Sequence, residues 1–253
     1  PISATQLLPS TFSNVGLGFY GKTYKPNYVW GYEVYVTNGF NDHIIGNKEN
    51  KTFIPATKLD PERFEESFNG EPIISIKTSF RYKKMGELGL SYMGGVYNKF
   101  QEDGFILDKK RRADVWAIDF NTMVPLTSMV ITTEFAWILV DIPPDYAKQY
   151  GTMQYGGFID FVQPLIRKEM LGFEKASLNA ALRFQYVDWN VGKFAETGNR
   201  IVDEMVGIVP AISFRTSSQT VLRLNYGYQW KKDIMGNPAT RVGIIQFGFS
   251  SYF

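Results

Sequence analysis

Few side chains in this sequence could perform bond chemistry. A single histidine, His43, stands beside Asp42 in a segment of Gly, Asn and Asp. A serine nucleophile needs a base of that kind, but a lone histidine in such a segment reads as a surface residue. Cysteine is absent, which removes thiolate nucleophiles, thiolate metal sites and disulfides. No His/Asp cluster has metal-ligand spacing. Gly16-x-Gly18 falls inside a strand pattern and not ahead of a helix, so it reads as packing or tight curvature instead of a phosphate loop. Gly94-Gly95 and Gly156-Gly157 read as strand bends, and Asn50-Lys51-Thr52 matches a glycosylation sequon by chance. The expectation is a protein that is not an enzyme, with no catalytic residue, no metal and no cofactor.

What remains is charge placed at alternate positions. In Thr220 to Lys231, Leu222, Leu224, Tyr226, Tyr228 and Trp230 fall on one side, with Arg223, Asn225, Gly227, Gln229 and Lys231 on the other. Only a period of two sorts them so. Ile73 to Lys83 opposes Ile74, Ile76, Phe80 and Tyr82 to Ser75, Lys77, Ser79 and Arg81, and Ser177 to Tyr186 opposes Leu178, Ala180, Leu182, Phe184 and Tyr186 to Asn179, Arg183 and Gln185. If the oily side meets lipid, turning a Lys or Arg toward it costs roughly 2 to 4 kcal/mol near the midplane. The cations Lys77, Arg81, Arg183, Arg215 and Arg223 are therefore expected to line a pore, interleaved with the acids Glu33, Asp119, Glu134 and Asp160. Such a lining either sets up a transverse field that orients polar solutes or pairs across neighbouring strands to hold the wall together; both readings stay open.

The elements that would position these residues are about eleven strands. Besides the three above they are Val15 to Lys22, Tyr28 to Asn38, Leu88 to Tyr97, Arg112 to Asn121, Ser128 to Asp141, Gln154 to Gln163, Glu204 to Arg215 and Arg241 to Phe253. Short links alternate with longer polar ones, the rhythm of short periplasmic turns and long external loops. Pro164 to Lys175 is long for such a turn, and Pro125 marks a strand end. The longest link, an extracellular loop over 41–72, either folds into the channel or covers its outer mouth; Asp60 to Glu66 within it carries helix-start signals, an Asp cap followed by Pro61 and acids. Aromatics make up 16% of the chain at a mean hydropathy of -0.18, which suits amphipathic strands with aromatic girdles. No apolar run is long enough for a transmembrane helix, and the chain is expected to begin after any export signal. The net charge of +2 gives no reason to expect nucleic acid.

The last strand ends on an aromatic, Phe253, with Phe249 and Tyr252 close before it. Such an ending looks like the signal by which the barrel-assembly machinery recognises outer-membrane barrels. With Phe253 on the periplasmic side, counting back puts Pro1 to Asn14 outside the cell and gives an odd strand number. Closed bacterial barrels use even numbers, so further strands are expected ahead of Pro1, and 1–253 reads as a single barrel domain lacking its N-terminal strands.

Several segments resemble the phosphate-selective porin (O/P) family and related bacterial outer-membrane porins: Leu8-Pro9-Ser10-Thr11-Phe12-Ser13-Asn14-Val15-Gly16-Leu17-Gly18 with Gly21, Trp30-Gly31-Tyr32-Glu33-Val34-Tyr35-Val36-Thr37-Asn38-Gly39, Gly89-Leu90-Ser91-Tyr92 with Gly94, and Gln246-Phe247-Gly248-Phe249 to Phe253. The resemblance implies an all-β, transmembrane, antiparallel up-and-down β-barrel of sixteen strands in the bacterial outer membrane, assembled as a homotrimer. The charge pattern departs from that family's strongly basic channel, since acids alternate with the cations. The expected function is a porin for passive diffusion of small hydrophilic solutes or ions, with anion preference as one option. The alternative is a structural barrel in a larger envelope assembly, its lumen plugged. Expected partners are outer-membrane lipid, the permeating solutes or anions, and other envelope proteins.

Overall fold

The computed structural model describes residues 7–8, 12–49, 51–60, 64, 67–144, 150–194 and 196–251. Its strands are β1 (Gly16–Tyr24), β2 (Tyr28–Thr37), β3 (Ile73–Tyr82), β4 (Glu87–Val96), β5 (Gln101–Glu102), β6 (Phe105–Ile106), β7 (Arg112–Met123), β8 (Val130–Val140), β9 (Met153–Arg167), β10 (Ser177–Lys193), β11 (Arg200–Ile201), β12 (Glu204–Arg215), β13 (Thr220–Lys231) and β14 (Thr240–Ser251). Eleven long strands form one antiparallel sheet in the order β1-β2-β3-β4-β7-β8-β9-β10-β12-β13-β14, with β11 attached to β10 and β5–β6 a separate hairpin. Eleven antiparallel strands in chain order leave β1 and β14 running in the same direction, and each pairs with one neighbour among the described strands.

Directly paired residues share a face of a sheet, so the register tests every phase read from the sequence. Glu33 pairs with Lys77, Gly89 with Asp119, Asp119 with Glu134, Asp160 with Arg183, and Ser213 with Arg223. All nine charged residues expected on one side lie on one side. The opposite face carries Ile74, Ile118, Phe135, Leu182, Ile212, Leu224 and Phe247 and their neighbours. Its charged residues, Arg112, Asp114, Asp188, Glu204 and Arg241, all sit at the end bearing the long loops. A row of rings crosses the same face near that end in direct register, from Tyr92 through Trp116 and Trp137 to Tyr155.

Two strands outrun their sequence patterns by four residues or more. β9 continues past Pro164 to Arg167 because the ladder to β10 is irregular at Leu178/Asn179; a proline without an amide hydrogen is at home at such a bulge. β10 continues from Tyr186 to Lys193 and pairs there with β11. The two Gly-Gly pairs are not bends. Register runs unbroken through them, and the glycines permit close approach instead: a Cβ on Gly157 would lie 2.3 Å from the Glu134 carbonyl oxygen. Residues 61–63 and 65–66 of the expected short helix, like Asn50, Tyr252 and Phe253, lie outside the described residues.

The buried core sits at the long-loop end and on the charged face. Ile73, Val115, Ile138, Val140, Val187, Trp189 and Met205 supply its floor, and Phe40, Ile44, Ile45 and Ile54 of the β2–β3 loop supply its cover. The loop makes two short 3-10 turns, Asp42–Ile44 and Ile54–Leu59. The Gln154 amide, 1% exposed, donates to the Thr52 carbonyl and to the Trp189 carbonyl (2.5 Å), and the Thr52 hydroxyl donates to the Gly151 carbonyl at 3.2 Å. The loop thus packs on the charged face, not beyond the sheet. Replacing Gln154 with Leu leaves two buried carbonyls without their donor, at a cost of about 1–3 kcal/mol. Hydrogen exchange is expected to show that loss as faster opening of residues 41–59, with β12 and β13 amides unchanged.

Candidate functional site

Below the docked loop, the charged face divides into two regions. Toward the β1 side cations and carboxylates are mixed. Lys77 Nζ lies 3.4 Å from Asp119 Oδ1, although Lys77 is on β3 and Asp119 on β7. The intervening strand opens the path, because Gly89 lies directly beneath the Asp119 carboxylate and a Cβ there would clash with it. Arg81 Nε donates to Glu87 Oε2 at 2.9 Å, and the Tyr35 hydroxyl donates to Glu33 Oε2 at 3.3 Å. Glu134 faces Asp119 across the β7–β8 ladder. Arg183 Nε donates to Asp160 Oδ1 at 2.6 Å, and its guanidinium lies 4.1 Å from the centre of the Phe158 ring. That fixes the guanidinium from two sides.

Toward the β14 side the charges are not matched. A concavity of about 690 Å3 is lined from β8 to β14, mostly by residues of this face. Its space comes from small residues, Ala181 on β10, Ala211 and Ser213 on β12, and Gly227 on β13. Arg167, Arg215 and Arg223 reach into it beside Asn179, Asn225 and Gln246. Its one acid, Asp160, is held by Arg183. Among the described residues, Arg167, Arg215 and Arg223 form no ion pair. Three unneutralised guanidiniums, each with a fork of donors, around an open space lined with amides suit small oxyanions and carboxylates.

Of the nine residues expected to line a pore, the structure brings Glu33, Lys77, Asp119 and Glu134 into one mixed cluster and Asp160, Arg183, Arg215 and Arg223 around the concavity. Arg81 stands apart with Glu87. Arg167 was missed because Pro164 reads as the end of a strand. Phe249 lies on the apolar face of β14, 65% exposed.

A second charged group closes the long-loop end. Lys51 Nζ stands 5.0 Å from the centre of the Trp189 ring, Lys231 Nζ stands 5.1 Å from it, and Asp203 Oδ2 lies 3.9 Å from Lys51 Nζ. Burial pushes the Lys51 ammonium down, against the pull of Asp203 and with the push of Lys231; burial pushes the Asp203 carboxyl up, against the pull of both lysines. Compared with protein-family models, curated proteins and solved structures, the chain finds no match.

These shifts set the pH dependence of the docked loop. Between the ordinary carboxylate value and the raised one, the docked state binds more protons at Asp203 than the open state, so docking weakens as pH rises through that window. Between the lowered lysine value and the ordinary one, the docked state binds fewer protons at Lys51, so docking strengthens as pH rises there. Protection factors for residues 41–59, corrected for intrinsic exchange, are expected to be lowest between the two windows. Asp203→Asn is expected to abolish the acid-side slope alone.

Proposed function

We propose that this sheet is the larger part of a β-barrel wall in a bacterial outer membrane, and that the barrel is a porin for passive diffusion of small hydrophilic solutes. The observation that carries the reading is the sorting of charge. Across eleven strands, every charged side chain between the short turns and the long-loop end lies on one face, and the other face is apolar and open. Water on both sides would give such a face no reason to exist at this size; lipid does. Rings at the level of Tyr92, Trp116, Trp137 and Tyr155 suit an interfacial girdle.

Strand direction sets what closure would require. β1 and β14 run the same way, so joining them directly would make a parallel pair, and an all-antiparallel wall needs an odd number of strands between them. Solute preference follows from the concavity. The free guanidiniums of Arg167, Arg215 and Arg223 favour anions, while the cluster of Lys77 with Glu33, Asp119 and Glu134, one cation against three carboxylates, favours cations, so the two regions set up a field across the channel.

A second reading rests on the docked loop. Residues 41–59 occupy the charged face at the long-loop end, and a loop so placed either narrows a channel or plugs it, leaving a structural barrel within an envelope assembly. Conductance separates the two. The full-length protein in planar bilayers is expected to carry ohmic current with anions preferred over cations. An arginine near 4 Å attracts an anion by about 1 kcal/mol in water, so Arg215→Gln with Arg223→Gln is expected to lower the anion preference severalfold and leave the channel open. Absence of open-channel current in the unmodified protein, and in one whose loop is freed by Gln154→Leu, would favour the scaffold.

A further inference from the structure

The short-turn end of the sheet is unusual for a set of hairpin turns. Turns are normally built of Gly, Asn, Asp, Ser and Pro. Here Leu126 is 97% exposed, Leu171 85% and Met85 69%, each in a different turn. Lysines stand among them: the five turns at this end hold Lys25, Lys83, Lys84, Lys168 and Lys175 against Glu169 and Glu174. An apolar tip beside an ammonium matches neither bulk water nor hydrocarbon alone. It matches the layer between them, where a long side chain keeps its stem in oil and its charge in the headgroups.

One place on this rim is built. A groove of about 620 Å3 runs between the β3–β4 and β7–β8 turns, lined by Lys83, Lys84, Met85, Met123, Val124 and Pro125. Its walls are tied together. The Thr122 hydroxyl donates to the Met85 carbonyl at 2.8 Å, and the Lys83 amide donates to the Asn27 carbonyl of the neighbouring turn at 2.8 Å. Lys83 has φ 46°, a left-handed conformation in which glycine or asparagine would sit with less strain. Its ammonium lies 5.4 Å from the centre of the Tyr82 ring, which belongs to the apolar face. The charge therefore stands over the aromatic rim.

We propose that this groove binds an anionic phospholipid of the leaflet facing the short turns, with its phosphate between Lys83 and Lys84 and the start of its acyl chains against Met85, Val124 and Pro125. The proposal rests on the membrane reading above. Charge complementarity selects the lipid: among the described residues no acid lines the groove, and a zwitterionic headgroup would offset the gain of its phosphate by bringing a cation toward two lysines.

The test uses the full-length protein in nanodiscs of phosphatidylcholine carrying a small fraction of phosphatidylglycerol with the same acyl chains, followed by native mass spectrometry of the lipids retained. Enrichment of phosphatidylglycerol over its share of the bilayer is expected, with each of Lys83→Gln and Lys84→Gln lowering that enrichment about fivefold. Met85→Ser is expected to lower retention of both lipids. Equal retention of the two lipids by the unmodified protein, or enrichment unchanged in the lysine variants, would overturn the proposal. Release of the bound lipid by millimolar inorganic phosphate would overturn it too, in favour of a free-anion site. Failure to enter nanodiscs of pure phosphatidylcholine would instead count against the membrane reading, so the two failures are distinguishable.

Discussion

The rest of this structure depends on one constraint: a paired strand cannot move a charge off a face without moving every other residue of that strand with it. Side chains alternate strictly, so strands whose charges between the two ends all fall on one face are fixed in phase strand by strand. On a soluble sheet a charge on the wrong face would cost little, since water waits there. The near absence of such placements, and their confinement to the long-loop end, is the observation on which the membrane reading rests.

The two ends of the wall solve different problems. At the long-loop end the charged face turns apolar, and Ile138, Val140, Val187 and Trp189 receive the β2–β3 loop as a second layer. Lys51 and Asp203, both largely buried, fasten that layer beside Trp189. Burial weakens the charged form of each partner, so the fastening is less tight than its geometry suggests and responds to pH. At the other end the turns are short and braced to one another, and their lysines and exposed aliphatic tips form a rim instead of a lid. Between the ends the ion pairs on the β1 side stiffen the wall, while the small residues of β10, β12 and β13 leave room for three free arginines. Pairing and field are therefore divided between two regions of the same face.

Much of this was legible in the amino-acid sequence because period two is a local signal. The bounds of β12 and β13 were readable to the residue, and the shared face of the nine charged residues followed from alternation and the cost of charge in lipid. What escaped depends on partners far along the chain. Lys77 meets Asp119 and not its in-register neighbour Glu33, because Gly89 leaves a gap on the strand between. Arg167 was hidden by Pro164, whose missing amide hydrogen is tolerated at a bulge that only the ladder reveals. The docked loop did leave a trace: Phe135-Ala136-Trp137-Ile138-Leu139-Val140 is apolar at every position, and an unbroken run means a strand covered on both faces. Asp103-Gly104, with φ 48° and 85°, is likewise a recognisable hairpin turn within what read as a loop.

The account stands on the apolar face meeting lipid and the charged face meeting water, and the absence of native cysteine makes this directly measurable. Single cysteines placed in turn from 220 to 231 in the full-length protein, spin-labelled and reconstituted in liposomes, report collision with oxygen, which concentrates in lipid, and with a water-soluble nickel chelate. The account predicts period-two alternation, with oxygen dominant at 222, 224, 226 and 228 and the nickel chelate dominant at 223, 225, 227 and 229. Alternation of the opposite phase, or nickel access equal at both sets of positions, would contradict it.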